Sequence, residues 1–267
     1  MALKLVNLTT GYHSRSGNHV VACNIEATLQ AGELTCLLGS NGVGKSTLLR
    51  TLAAFQPALD GEILLDDTPL TSFMPKQLAT KIGVVLTERP DIRGMKVRDM
   101  VAMGRSPYTG FWGKLSAEDE QAVDEAIAQV GIKALESRLM HTLSDGERQK
   151  VMIAKVLAQR TPIIFLDEPT AFLDFQSKVE MLLLLTRLAH EVGKTVFMST
   201  HDIELALQTA DRLWLMSRDG SLKIGTPRNL AQDGSLQQFF AGNGISFDPT
   251  TMRFNIEVQT LNKNTAI

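Results

Sequence analysis

Apolar and polar residues alternate through the N-terminal part of the chain in the manner of β-strands, with one helical segment among them. Strand-like runs are predicted at 3–8, 20–28 and 33–38, then a helix at 46–54, then shorter strands at 62–65 and 82–86. Residues 92–160 change to the three-to-four-residue period of helices. The helices predicted there span 95–104, 116–130, 133–139 and 145–159.

Strands and helices alternate again after residue 160. The strands are predicted at 163–167, 195–199, 213–217 and 222–225, and the helices at 175–191 and 202–210. Ile163–Leu166 and Thr195–Met198 are almost continuously apolar, which is typical of central parallel strands covered on both faces. The pattern predicts an α/β fold with a mixed sheet and an inserted α-helical subdomain. We divide this single domain, 1–267, into a core at about 1–91 and 161–225, a helical subdomain at about 92–160 and a short extension at 226–267.

Composition narrows the classes of partner. The 267 residues are 44% hydrophobic and 21% charged, with a formal net charge of −2 and no block of Lys and Arg. A nucleic-acid partner usually requires a basic surface, so none is predicted. No segment approaches the roughly 18 apolar residues of a membrane span, and the N-terminus lacks the apolar region of a signal peptide. The chain is predicted to be cytoplasmic, with Cys23 and Cys36 as buried free thiols.

A glycine-rich segment carries the clearest chemistry. Residues 39–47 follow the P-loop pattern Gly-x4-Gly-Lys-[Ser/Thr] between a predicted strand and a predicted helix. Backbone N–H groups and the helix N-terminus face an anion in such a loop. Lys45 would reach the β- and γ-phosphates of ATP, and the Ser46 hydroxyl would bind Mg²⁺. The predicted nucleotide contacts are Gly39, Ser40, Asn41, Gly42, Val43, Gly44, Lys45, Ser46 and Thr47.

Two acids end the apolar strand at 163–167. Asp167, beside the P-loop strand, is predicted to hold a Mg²⁺-bound water. Glu168 is predicted to act as the general base that polarises the attacking water. The structural alternative is a solvated strand end, but two acids directly after four large apolar residues favour a site.

The segment Leu143–Gln149 opens a predicted helix, with Ser144 and Glu147 spaced as a capping box. Alone, it would be a well-made helix start. Together with the P-loop and the acid pair it resembles the Leu-Ser-Gly-Gly-Gln signature of the ATP-binding cassette (ABC) ATPases, and the resemblance covers about residues 1–225. It implies that Ser144 and Gly146 complete the ATP site of a second copy, so that the working unit is a homodimer.

The same resemblance gives roles to three further residues. Phe172–Asp174 resembles the D-loop of the family, which places Asp174 at the nucleotide interface. His201 resembles its switch histidine, which supports the transition state. Tyr12, in the loop expected after the first strand, resembles the aromatic residue that stacks on adenine. Taken singly, His201 would be a polar strand end and Tyr12 a surface aromatic.

Two positions depart from the family pattern. Asp145 replaces the first glycine of the signature, and because a carboxylate close to a phosphate is repelled, we expect it to point away from the γ-phosphate. Thr87 occupies the place of the Mg²⁺-contacting glutamine of the Q-loop, so its shorter hydroxyl is predicted to serve the metal site, directly or through a water, or Glu88 substitutes for it.

The stretch Met95–Gly113, with a Ser-x-x-Asp helix start at Ser116–Asp119, resembles the ATPases of bacterial importers for iron–siderophore complexes, haem and cobalamin. The resemblance implies a membrane permease as partner, a substrate-binding protein as indirect partner, and a location on the inner face of the cytoplasmic membrane. The aromatic side chains of this stretch would contact the permease or, alternatively, pack within the helical subdomain, which we also call the helical lobe. They are Tyr108, Phe111 and Trp112. Two other functions stay open: a soluble ABC ATPase acting on DNA or the ribosome, and a P-loop kinase or GTPase.

Overall fold

The computed structural model describes residues 1–14, 17–87, 92–110, 112–240 and 245–256. Its N-terminal part is mostly strand. The elements up to residue 87 are β1 (Leu3–Ser14), β2 (Gly17–Leu29), β3 (Leu34–Leu38), α1 (Lys45–Leu52), β4 (Asp60–Leu65), β5 (Thr68–Pro69), α2 (Pro75–Leu78) and β6 (Ile82–Val85). β1 and β2 form a long antiparallel hairpin, and the antiparallel sheet has the order β2-β1-β4-β5.

Three helices pack on one another in the middle of the chain: α3 (Val97–Ala102), α4 (Ala117–Val130) and α5 (Asp145–Ala158). The helix predicted at 133–139 is wrong, because only a single 3₁₀ turn, Lys133–Leu135, forms there. Gly131 adopts a left-handed φ of 73° and ends α4. Leu139 then bridges to Lys96 as extended chain. This tertiary pairing overrides the local helical pattern.

The later elements alternate as predicted. They are β7 (Ile163–Asp167), α6 (Phe175–His190), β8 (Thr195–Thr200), α7 (Ile203–Thr209), β9 (Arg212–Met216), β10 (Leu222–Gly225), α8 (Pro227–Gln232), α9 (Ser235–Phe240), β11 (Ile245–Asp248) and β12 (Arg253–Ile256). The main sheet has the order β10-β9-β3-β8-β7-β6. Every residue of β7 and β8 is buried, and β8 pairs in parallel with both β3 and β7. The strand of Asp167 is therefore not beside the P-loop strand, as the sequence predicted, because β8 lies between them. The prediction of central parallel strands is confirmed.

Apolar side chains fill both faces of this sheet. On one face Phe165, Phe197 and Trp214 stack edge to face, with ring centroids 5.8 and 5.1 Å apart, and all three are fully buried. Burial of each such ring contributes roughly 1.5–3 kcal/mol. Cys36 lies buried on the other face, where burial and the nearby Asp211 raise the pKa of its thiol to about 12. Cys23 is exposed on β2, so its predicted burial is wrong.

The parallel arrangement of the strands also places the candidate site residues at one edge of the sheet. Because the carboxyl ends of parallel strands meet at one edge of a sheet, the segments that follow β3, β7 and β8 converge there. These are the P-loop, the acid pair and His201. None of the helices in the described parts of the chain is both long and apolar enough to cross a bilayer.

Candidate nucleotide site

The P-loop lies between β3 and α1, as the sequence predicts. Gly44 is the N-cap of α1 with φ 111°, a conformation that side chains rarely adopt. A Cβ on Gly44 would also collide with the side chain of Val21 on β2. The first N–H groups of α1 have no acceptor within a helix, and with the helix dipole they form an anion-binding end.

Lys45 is the buried cation of the site. Its side chain is 5% exposed, and its Nζ donates to the carbonyl oxygens of Gly39 at 2.9 Å and Ser40 at 3.4 Å. The ammonium is thereby held along the loop that would wrap the phosphates. Ser46, the next residue, is exposed at the start of α1 and can present its hydroxyl to a bound ion.

The two acids after β7 have different surroundings. Asp167 is buried, and its Oδ1 accepts a hydrogen bond from Ser199 Oγ at 2.6 Å. Glu168 has a left-handed φ of 49°, and its side chain is 25% exposed with one oxygen 3.7 Å from Lys45 Nζ. A partly exposed carboxylate beside the phosphate-binding lysine has the place and the chemistry of a general base.

His201 joins this group from the end of β8. Its Nδ1 lies 3.7 Å from Glu168 Oε2, and its side chain is 50% exposed. The structure therefore brings together Lys45, Glu168 and His201, which the sequence placed in three separate motifs. Ser199, on the strand that His201 follows, contacts Asp167 and was missed by sequence reasoning.

Thr87 lies beside the end of β7, where Asp167 is located. Its hydroxyl donates to the main-chain carbonyl of Asp167 at 2.9 Å. This hydrogen bond brings the Thr87 side chain next to the predicted Mg²⁺ position. Whether Thr87 contacts the ion directly stays a prediction, and Glu88, the alternative, lies outside the described residues.

Mg²⁺ fits the oxygen donors that the structure assembles. The buried Asp167 carboxylate and the exposed Ser46 hydroxyl are hard ligands of the kind Mg²⁺ prefers. Within the described ranges no group of three or more His, Cys, Asp or Glu could hold a metal ion. The ion would thus depend on one or two protein oxygens together with the substrate phosphates.

Tyr12 is not in a loop, which corrects the expectation from the sequence. It lies within β1, opposite His19 of β2, and the two ring centroids are 4.9 Å apart. Tyr12 is 52% exposed. The hairpin extends further than predicted because ladder pairs continue to Ser14 and Gly17. β2 also carries Val21, which contacts the P-loop at Gly44, so the aromatic residue belongs to the strand pair that flanks this loop.

The signature forms a second anion-binding end at the start of α5. Ser144 Oγ accepts from the Glu147 N–H at 3.2 Å, and Glu147 accepts from the Ser144 N–H at 2.9 Å, so the capping box is present. The backbone hydrogen bond from Ser144 holds the pKa of the Glu147 carboxyl below its usual range. The Ser144 hydroxyl also lowers the pKa of Glu147, so it would have to turn from this carboxylate to donate to a phosphate.

The signature lies against the D-loop segment. A Cβ on Gly146 would lie 3.4 Å from Ser177 Oγ, an ordinary van der Waals contact, so the starts of α5 and α6 lie side by side. Asp174 caps α6 by accepting from the N–H of Ser177 at 2.9 Å, and this bond lowers the pKa of its carboxyl. Phe172 and Phe175, on either side of Asp174, are 73% and 72% exposed. Ser144, Gly146 and Asp174 therefore lie together as a second group of predicted site residues.

A cavity of about 890 Å³ borders the P-loop on the side of the C-terminal elements. Ser40, Asn41 and His201 line it at one end, and Phe239 and Phe240 of α9 at the other. The exposed face of the P-loop is therefore continuous with a concave surface. No role was predicted for the extension at 226–267, and among its described residues α9 lines this cavity.

The segment Met95–Gly113 is tied into the helical lobe by a buried ion pair. Arg105 is 2% exposed, and its Nε donates to Asp119 Oδ1 at 2.8 Å. The N–H and hydroxyl of Ser116, followed by Arg105, lower the pKa of Asp119 to about 2. Tyr108 packs under the Arg105 guanidinium at 3.8 Å. Trp112 is 89% exposed, whereas Phe111 lies outside the described residues.

Comparisons with known proteins agree with the resemblance drawn from the motifs. A family model described as ABC transporter matches residues 22–171. An uncharacterised ABC transporter ATP-binding protein of Methanocaldococcus jannaschii is 41% identical over 85% of this chain and 77% of its own length. A petrobactin import ATP-binding protein of Bacillus anthracis is 36% identical over 84% and 82%. The ferric enterobactin transport ATP-binding protein of Escherichia coli is 34% identical over 87% and 84%.

Solved structures give the same fold. An inward-facing transporter described as of the metal-chelate ABC type superposes with a TM-score of 0.76 at 29% identity, over 90% of this chain and 88% of that chain. A dimeric bacterial ABC transporter cassette superposes with a TM-score of 0.72 at 27% identity, over 84% and 98%. The predicted fold class, an ABC-type P-loop core with a mixed sheet and helical subdomain, is confirmed. These relatives give no support to work on DNA or the ribosome.

Proposed function

This chain belongs to the ABC transporter family of ATP-binding proteins, and we propose that it is the ATP-hydrolysing subunit of a bacterial importer. The family couples ATP hydrolysis to transport. The proposal treats 1–267 as one ABC unit that works as a homodimer against a membrane permease. The observation that carries it is that Lys45 and His201, from segments far apart in sequence, each lie 3.7 Å from a carboxylate oxygen of Glu168.

Each of these groups has a task in attack on the γ-phosphate. Glu168 orients the water and takes its proton. The Lys45 ammonium and the P-loop N–H groups bind the phosphate oxygens and counter the charge that spreads over them in the transition state. His201, next to Glu168, stabilises the charge on the same phosphate oxygens in the transition state. Mg²⁺, held by Asp167 and Ser46 with Thr87 beside them, would supply further positive charge when bound.

A second copy of the chain would complete each ATP site. Ser144 and the Gly146 N–H lie at the start of α5, where the helix dipole favours an anion, and Asp174 lies beside them. The exposed phenylalanines Phe172 and Phe175 flank this second group, and aromatic residues are enriched in protein interfaces. Closure of two copies around ATP and opening after hydrolysis would supply the motion that drives transport.

The relatives and the helical subdomain support a function in import. The two named relatives of known cargo are a petrobactin and a ferric enterobactin ATP-binding protein. We extend this class to the present chain, with an iron–siderophore, haem or cobalamin type of cargo that the permease and a substrate-binding protein select. The 89% exposed Trp112 at the end of the lobe is suited to contact a permease. The chain would then sit on the cytoplasmic face of the membrane.

The test compares host cells that keep their importer permeases with cells from which these permeases are deleted. We expect the chain to sediment with membranes when the permease is present and to leave them when it is deleted. Glu168→Gln should keep this association and stop uptake of the iron chelate. A chain that never binds the permease, or Glu168→Gln cells with normal uptake, would contradict the proposal.

A further inference from the structure

A single buried hydroxyl connects the two acids of the site. Ser199 lies on β8 directly opposite Asp167 of β7 in the parallel register, and it is completely buried. Its Oγ donates to Asp167 Oδ1 at 2.6 Å and accepts from the Glu168 N–H at 2.9 Å. We propose that Ser199 is a positioning residue for ATP hydrolysis, which holds the metal-binding carboxylate and the general base in one fixed relation. This inference rests on the proposed function.

The backbone at Glu168 explains why an acceptor is needed there. β7 ends at Asp167, and Glu168 turns into the left-handed region with φ 49°. Such a conformation is costly for a residue other than glycine and persists only where its surroundings enforce it. At the turn the Glu168 N–H meets the Ser199 side chain on β8. The Ser199 oxygen is therefore one of the groups that stabilise this turn.

A hydroxyl is the group that can serve both acids at once. It has one donor and two acceptor positions, so it can donate to a carboxylate while it accepts from an N–H. An apolar side chain at position 199 would leave a buried carboxylate oxygen and a buried N–H without this partner. Unmet buried groups of this kind are expensive.

Ser199 differs from Thr87 in the atom that it contacts. Thr87 donates to the main-chain carbonyl of Asp167, whereas Ser199 donates to the carboxylate itself. Without the Ser199 hydroxyl, the Asp167 carboxylate, which would bind Mg²⁺, should be free to rotate. The backbone turn that orients the Glu168 side chain should also lose a stabilising hydrogen bond. Lys45 and the P-loop amides lie outside this hydrogen-bond pair, so ATP binding without Mg²⁺ should persist.

The kinetic test compares Ser199→Ala, Ser199→Cys and Ser199→Thr. Cysteine is close to serine in size but is a weak donor and acceptor, and threonine keeps the hydroxyl. We expect kcat to fall about ten- to one-hundredfold in the Ala and Cys variants, with little change in the KM for ATP, and to recover largely in Ser199→Thr. Thr195→Val is the matched control, because it removes another buried hydroxyl from β8. It should keep wild-type kcat.

A second readout does not depend on turnover. In a Glu168→Gln background, the rise in melting temperature on adding ATP is measured while Mg²⁺ is titrated. Adding Ser199→Ala should raise the Mg²⁺ concentration at the midpoint about tenfold. The shift that ATP produces without Mg²⁺ should be the same in both proteins.

The outcomes separate this inference from the proposed function. Wild-type protein without ATPase activity would refute the function itself. An active wild type with normal kcat and Mg²⁺ midpoint in Ser199→Cys would overturn the role of Ser199 alone. A Ser199→Thr variant as slow as Ser199→Cys would do the same. If the melting temperature of Ser199→Ala lies far below that of Thr195→Val, the Ala variant is too unstable to test the role of Ser199. The comparison of Ser199→Cys with Ser199→Thr then provides the test.

Discussion

The Lys45 ammonium lies 3.7 Å from a carboxylate oxygen of Glu168, so the P-loop and the end of β7 meet at one point. Lys45 comes from the first turn of α1 and Glu168 from the turn after β7. An entering γ-phosphate would share the ammonium, since a phosphate competes well for a lysine. Phosphate binding and the position of Glu168, the proposed general base, would thereby be coupled through a single cation.

Thr87→Ala tests the link between β6 and Asp167. The variant loses the hydrogen bond to the Asp167 carbonyl, and a net loss of about 1 kcal/mol corresponds to an ATPase rate lower by roughly fivefold. Thr80→Ala removes an exposed hydroxyl just before β6 and should leave the rate unchanged. If Thr87→Ala and Glu88→Ala both show normal ATPase and transport, this segment does not couple the ATP site to the lobe.

Asp145→Asn tests the direction of the acid in the signature. Asp145 is the first residue of α5 and is exposed. A carboxylate about 5 Å from a phosphate charge would cost about 3 kcal/mol, so its neutralisation would tighten the ATP-dependent dimer by about one hundredfold. Because we expect Asp145 to point away, the dimer dissociation constant should change by less than about threefold. Sedimentation in a Glu168→Gln background measures it, and a large tightening would place the acid on the phosphate.

Phe172→Glu with Phe175→Glu tests the face that meets the second copy. Both rings are largely exposed beside the signature. Two charges buried in an apolar contact should weaken the ATP-dependent dimer by at least about one hundredfold. Phe55→Glu is the matched control, because Phe55 is 59% exposed and lines a separate groove with Pro57 and Phe73. Equal dimer constants for the double variant and the control would remove these rings from the interface.

Arg105→Met tests the buried ion pair of the helical lobe. It leaves the Asp119 carboxylate without its guanidinium, while the methionine fills similar space. Breaking a buried pair from one side costs about 3–5 kcal/mol in the free energy of unfolding. Urea unfolding of the full chain measures this loss, and a loss below about 1 kcal/mol would contradict the role of the pair.

The pH dependence of the same variant serves as its control. The pKa of Asp119 is lowered to about 2 from the usual 3.8, first by Ser116 and then by Arg105. A lowered pKa in the folded state stabilises the protein fully above the unfolded pKa, and this contribution disappears as the pH falls toward the folded pKa. Stability should therefore fall between about pH 3.8 and pH 2 in the wild type, and less steeply in Arg105→Met.

Local sequence predicted the parts of the site that lie at the ends of strands. The P-loop, Asp167, Glu168 and His201 each follow an apolar run, and parallel strands bring such ends together without further information. Ser199 was missed because its role depends on the register between β7 and β8. The helix at 133–139 was wrong because Leu139 pairs with the distant Lys96, and the loop at Tyr12 was wrong because the β1–β2 hairpin continues past Tyr12 to Ser14 and Gly17. Pairings of this kind cannot be inferred from a single sequence.

We propose that two copies of the chain close on ATP and that Glu168 then acts as the general base in hydrolysis. Light scattering gives the molar mass of Glu168→Gln with Mg-ATP, and the ATPase rate is measured on the same sample. We expect an ATP-dependent dimer and turnover at least about one hundredfold below wild type. A strict monomer, or a variant with wild-type turnover, would contradict this proposal.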